Sequence, residues 1–227
     1  RCDVIVCKGG QESMKALIYK DLFILKQKGQ LLSLLSLVVT SVTIGYFFQN
    51  FYGLALIVVL SIPVGGSAYL QVVMEKEERT NFEKAYLSLP VTKQEVVLAR
   101  FITGFIFLFL SMVVAFVYML FFVYYLKVVS LDVGLMLWGA GMVFGTILMA
   151  LNSVGYHLLG AKKGAFVYLV FTGVSIAIYL IAFFGFDMTS ILTMKPIYLL
   201  MIGIVIAMLC LLVGYFVSLK ILQRRYS

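Results

Sequence analysis

The residue types that carry covalent chemistry are thinly spread in this chain. It has one histidine, His157, and three cysteines, Cys2, Cys7 and Cys210. It contains no H-E-x-x-H or G-x-S-x-G pattern and no pair of aspartates within an apolar run. Cys2 and Cys7 have no second pair or His cluster with which to build a metal site, so the cysteines read as unpaired thiols. What the chain does concentrate is charge. The passage 75–100, EKEERTNFEKAYLSLPVTKQEVVLAR, holds ten charged residues in a chain that is 63% hydrophobic and 12% charged. The chemistry open to such a passage is recognition, not bond making.

Two helix starts lie inside it. Thr80-Asn81-Phe82-Glu83 and Thr92-Lys93-Gln94-Glu95 both have the S/T-x-x-E spacing of a capping box. In that arrangement the threonine hydroxyl accepts from the glutamate backbone N–H and the carboxylate reaches back to the threonine N–H. Val91 and Val96 flank the second box as a hydrophobic staple, so it opens a helix that continues through Arg100. Between the boxes the sequence predicts a short helix over 81–89, stopped by Pro90, because proline disfavours helical geometry in the residue before it. Phe82, Ala85, Tyr86 and Leu89 fall at i, i+3, i+4 and i+7 and share one face. Glu83, Lys84 and Ser88 point elsewhere. Two uses of that face are open. It can lie on lipid headgroups or on the protein's own helices. Alternatively it can fill a groove on a soluble partner, with the acidic and basic flank, Glu75 to Arg79, as a polar rim and Arg79 and Lys84 counted among the docking residues.

The elements that hold this passage are membrane spans. Soluble domains are roughly half apolar and about a quarter charged, so a chain of this composition is a polytopic membrane protein. Six runs approach the roughly 20 apolar residues that a crossing helix needs: 31–48, 51–73, 101–126, 133–159, 165–186 and 197–219. Gln49 and Asn50 separate the first two, which implies a tight helical hairpin. The runs are continuous rather than alternating, which argues against a barrel, and the expected fold class is all-α. Lys15, Lys20, Lys26, Lys28, Lys76, Arg79, Lys84, Lys93, Arg100, Lys162, Lys163, Lys220, Arg224 and Arg225 fall on one side. Only Lys127 and Lys195 fall on the other. By the positive-inside rule both termini and the 74–100 loop face the cytoplasm. This topology accounts for the net charge of +8, with no nucleic acid as partner.

Ionisable groups at membrane depth are costly and usually functional, and the spans hold few. Asp132 and Asp187 fall near exterior ends. His157, with no acidic partner in view, reads as a boundary or packing residue more readily than as a proton relay. Asn152 sits deeper and is more readily an interhelix hydrogen-bonding group than a pathway contact. Pro63, followed by Gly65 and Gly66, bends the second span; the bend serves either as a hinge or as a static kink for close packing. Gly139, Gly141 and Gly145 offer a small-residue surface for helix contacts within or between protomers. No Gly-rich phosphate loop is present, so the chain itself binds no nucleotide or other cofactor by a visible motif.

MEKEERTNFEKAYLSLPVTKQEVVLARF, with its charged cluster, its SLPV turn at 88–91 and its KQEVVLAR entry to the third span, resembles the first cytoplasmic loop of the type-two (ABC-2) permeases of ABC transporters, in their small six-span Gram-positive form. The opening MKALIYKDLFILKQ, 14–27, is similar to the cytoplasmic lead-in helix of that family. Here Lys15, Lys20, Asp21, Lys26 and Lys28 spread around the helical wheel, so its interfacial placement rests on the resemblance alone. The resemblance extends over 14–227. It implies that 81–89 is a coupling helix inserted into a separate cytoplasmic ATPase subunit, which would hold the ATP and magnesium. It also implies pairing with a second permease protomer, as homodimer or heterodimer, in the bacterial cell membrane. The expected function is that of a non-enzymatic permease subunit of an exporter for an amphipathic or hydrophobic cargo such as a peptide, antimicrobial or drug. A membrane anchor or sensor that recruits a partner through the same loop, and a secondary carrier, are the rival classes. Residues 1–13 match neither a signal peptide nor a span. Lys8-Gly9-Gly10 can be encoded by a ribosome-binding sequence, so translation is expected to begin at Met14, and an intact mass including Arg1 would reject this.

Overall fold

The computed structural model describes residues 15–21, 23, 39, 43, 45–67, 69–80, 92–183 and 196–225. Among these residues every regular element is a helix. The first predicted span, 31–48, and the 81–89 helix lie almost wholly outside them. The elements are α1 (Phe51–Ala55), α2 (Ile62–Ser67), α3 (Tyr69–Thr80), α4 (Lys93–Leu120), α5 (Leu131–Phe183) and α6 (Pro196–Arg225). Wide π-helical turns join α1 to α2 (Leu56–Ser61) and extend α4 (Phe121–Tyr125). Three helices are long and apolar enough to cross a membrane: Lys93–Tyr125, Leu131–Gly160 and Ile197–Arg224. Two shorter apolar helices, Phe51–Gly65 and Lys163–Ala177, accompany them.

Local sequence explains the breaks. Asn50 caps α1, its side-chain oxygen accepting from the Gly53 N–H at 2.8 Å, so the polar pair Gln49-Asn50 does end one helix and start the next. The wide turns before α2 run up to Pro63, which has no N–H to give and whose ring crowds the carbonyl four residues earlier; proline and π-bulges are the usual causes of such bends. α5 is two helices. Gly160, at φ 79 and ψ 176, turns the chain back. Gly155 then faces Val167, and a Cβ on Gly164 would come within 2.5 Å of the Tyr156 ring. The fourth and fifth predicted spans are therefore an antiparallel hairpin with Gly160 at its elbow.

Packing is closest where α5 meets the bent second span. A Cβ on Gly141 would lie 2.4 Å from the Val58 carbonyl oxygen, and one on Gly145 would meet Leu108 and Pro63. The small residues of the fourth span are thus spent on contacts within the protomer. The Tyr168 hydroxyl donates to the Val64 carbonyl at 2.7 Å and ties the returning half of α5 to α2. The core fills between these helices with Leu54, Ile57, Val97, Leu108, Met112 and Met119 among its buried members. α6 rests one side on α5, with Gly203 against Val143 and Gly214 against Ala150. It leaves Met201, Val205, Met208, Leu212 and Phe216 exposed, an apolar surface suited to lipid or to another membrane helix.

Candidate functional site

The passage 75–100 is described at both of its feet. α3 is described as far as Thr80, where the described residues stop short of the 81–91 connection. The other members of the first capping box and of the apolar face, Phe82, Glu83, Lys84, Ala85, Tyr86, Leu89 and Pro90, lie outside the described residues. The second foot is formed as the sequence predicts. Thr92 caps α4: its hydroxyl accepts from the Glu95 N–H at 3.3 Å, and the Glu95 carboxylate accepts from the Thr92 N–H at 2.8 Å. Arg79 is exposed and pairs with Glu75 at 2.6 Å, one helical turn away.

Between these feet sits a cluster that sequence reasoning did not assemble. Glu77, on α3 one turn before Thr80, is buried. Its carboxylate accepts from Arg100 of α4 and from Lys20 of the N-terminal helix at 15–21. Lys20 also pairs with Asp21 at 3.2 Å. Arg100 in turn contacts Nε2 of His157 at 3.2 Å. Nδ1 of the same ring lies 2.6 Å from the Ser153 carbonyl. A guanidinium can only donate and a carbonyl can only accept, so these two contacts fix the neutral ring with its hydrogen on Nδ1. Among the described residues two cations, Lys20 and Arg100, meet two carboxylates, Asp21 and Glu77, and such pairing is the condition on which charges tolerate burial. Burial pushes the Asp21 carboxyl above the usual carboxylate range, against the pull of Lys20.

Apolar contacts reinforce the same node. Leu17 packs with Val96 and Ala99 at the start of α4. Val73 and Met74 of α3 pack on Tyr156 of α5. Lys93 donates to the Gln223 carbonyl near the end of α6 at 3.4 Å, and Ser153 lies 3.5 Å from Ser218 of α6. The N-terminal helix, α3, α4, α5 and α6 are all joined near the described ends of the passage, Thr80 and Thr92.

The expectations for the other polar positions fare differently. His157 is buried as a packing residue would be. However, an acidic group does lie in view: Glu77, one guanidinium away, brought there by a contact between α3 and α5 that no local spacing announces. Asn152 is buried on the adjacent face of α5, and neither of its amide atoms has a hydrogen-bond partner among the described residues, so the expected bond to another helix is not formed there. Pro63 is buried against Gly145, a contact that a hinge and a static kink would both make. Asp21 and Lys20 explain why charge runs around the wheel of the N-terminal helix: they face inward, to Glu77. At the opposite end of the bundle, Tyr46, Gln49, Tyr118, Phe121 and Tyr125 line an apolar cavity of about 640 Å³.

A buried ion cluster and three helices long and apolar enough to cross a membrane describe a membrane component. The family model described as "ABC-2 family transporter protein" matches residues 16–223. No curated protein and no solved structure matches the chain. With nearly its whole length covered, the chain belongs to the ABC-2 family of transporter proteins, multi-pass membrane components of transport systems.

Proposed function

We propose that this protein is the membrane-spanning permease subunit of an ATP-driven exporter. It crosses the bacterial cell membrane six times with both termini in the cytoplasm. It works as a pair of protomers with a cytoplasmic ABC ATPase that binds the ATP and magnesium. The 81–89 helix is the coupling element, with Phe82, Ala85, Tyr86 and Leu89 seated in a groove of the ATPase and Arg79 and Lys84 at its rim. The cargo is amphipathic or hydrophobic, in keeping with the apolar, aromatic-rich spans. The observation that carries this reading is the family match over 16–223. Support comes from the root of the connection, where Thr92 caps one foot and the Glu77–Arg100 pair closes the base.

Replacing Phe82 and Tyr86 together with Asp tests it. The variant is expected to insert normally and to lose the ATPase on co-purification. Co-purification at the wild-type level would refute the docking role. In reconstituted vesicles, efflux that requires the ATPase supports the exporter. Movement that persists without it and collapses with the proton gradient would make the protein a secondary carrier.

A further inference from the structure

We infer that Glu77 is a positioning residue for transport. By holding Lys20 and Arg100 at once, it makes the N-terminal helix, both feet of the 81–91 connection and the Gly160 elbow of α5 move as one body. This inference rests on the proposed coupling role of the connection and adds where the force goes after it enters.

The geometry is specific. The described part of α3 runs to Thr80, and α4 is capped by Thr92. Each foot is a single helix end, and two separate helix ends can shear past each other when a partner pushes on the segment between them. Glu77 and Arg100 cross-link those ends within the protein, below the feet. Through the second oxygen of Glu77 the link reaches Lys20, and so a helix far away in sequence. Through the second nitrogen of Arg100 it reaches His157, less than one turn from Gly160. Among the described residues Glu77 is the carboxylate that touches both cations of the node, so its removal cuts the ion-pair links to the N-terminal helix and toward α5 together. Removal of Lys20 cuts only the first. Burial makes these contacts stiff, since an ion pair shielded from water is electrostatically stronger than one at the surface and leaves a stranded charge when it parts. A chain of contacts in space is not by itself coupling, so the two branches have to be cut separately and observed.

Spin-label distances in the permease assembled with its ATPase provide that observation. Labels are placed at the exposed positions Tyr19, Glu78, Leu158 and Tyr125, in a background with the three cysteines replaced by serine. In the wild type, Tyr19–Glu78 and Glu78–Leu158 are expected to give single narrow distances that do not change between the ATP-free and the ATP–vanadate states. Glu78–Tyr125, which spans the bundle, is expected to shift. In Glu77→Gln both node distances lose their single narrow distribution, and the shift at Tyr125 is lost although ATP is still hydrolysed. In Lys20→Gln only Tyr19–Glu78 broadens, and Lys20→Arg restores it. Lys20 is part-exposed, so its variants keep the test open if Glu77→Gln does not fold. Node distances that stay narrow in both Gln variants, or that move with nucleotide in the wild type, overturn the inference. A wild-type permease that binds no ATPase fails earlier, at co-purification, and takes down the proposed function together with this extension of it.

Discussion

Glu75 and Glu77 stand two residues apart in EKEER, each within reach of an arginine, and they do different work. The Glu75 and Arg79 side chains are 51% and 76% exposed and pair along one helix. The Glu77 and Arg100 side chains are 3% and 5% exposed and pair between two helices. Helix geometry alone separates them. Val73 and Met74 are buried, and Glu77 lies at i+4 and i+3 from them, so it extends their apolar stripe by one turn. Glu75, Glu78 and Arg79 fall on the outer face. The same carboxylate on the same helix is therefore a solvated charge in one register and a structural joint in the other. Such a cluster of charges is a face of two kinds.

The most severe break in that contrast is Glu77→Leu. It removes the acceptor that Lys20 and the buried Arg100 share, and removing one partner of a buried pair costs about 3–5 kcal/mol. Thermal unfolding in detergent is expected to show a large fall, with loss of monodisperse protein at physiological temperature. An unfolding midpoint equal to that of wild type would mean that water reaches the cluster and that the burial contrast is empty.

The next effect is apolar and tests whether the second span is held mainly by charge at one end or by contact along its length. Gly141→Val places a side chain where the Val58 carbonyl already stands at 2.4 Å from a Cβ. The obstacle is backbone, which no rotamer change removes, and overpacking of this kind costs about 1–3 kcal/mol. The expected result is a clear drop in unfolding temperature. Gly173→Ala, with nothing within 4 Å of its Cβ, serves as the control that leaves it unchanged.

Thr92→Ala is milder. It removes the hydroxyl half of the capping box and costs about 1 kcal/mol. The loss should be local, with faster amide exchange in the first turn of α4 at Glu95 and little change beyond Arg100, because the ion cluster fastens the helix from that point on. Accelerated exchange throughout α4 would show that the cap, and not the cluster, anchors this foot.

How much of this was legible follows the same division. The all-helical class, the break at Gln49-Asn50 and the Thr92–Glu95 box are local in origin. Each depends on neighbours a few residues away, and spacing reports them. The cluster is not local. Lys20, Glu77, Arg100 and His157 come from four helices, and only tertiary packing brings them together. Some of its charges nevertheless left a trace: Glu77 follows Val73 and Met74 by four and three, Asp21 follows Leu17 by four, Arg100 follows Val96 and Val97 by four and three, and all of these positions are buried. A charge that prolongs an apolar stripe by one turn is the signal that a count of charges overlooks. Asn152 shows the converse, since a polar residue at depth suggested a partner across helices and the described residues supply none.

Arg79→Ala gives the smallest stability effect and the sharpest use of the comparison. An exposed i, i+4 pair is worth about 0.3–0.5 kcal/mol, so unfolding should barely move. If Arg79 stands at the rim of a docking surface, ATPase binding should weaken all the same, and the deficit should shrink as salt rises, because exposed charges are screened. A variant that binds its partner as wild type does at low salt would make Arg79 a solvated charge and nothing more. The acidic and basic rim would then contribute to solubility alone, and recognition would fall entirely to the apolar face of Phe82, Tyr86 and Leu89.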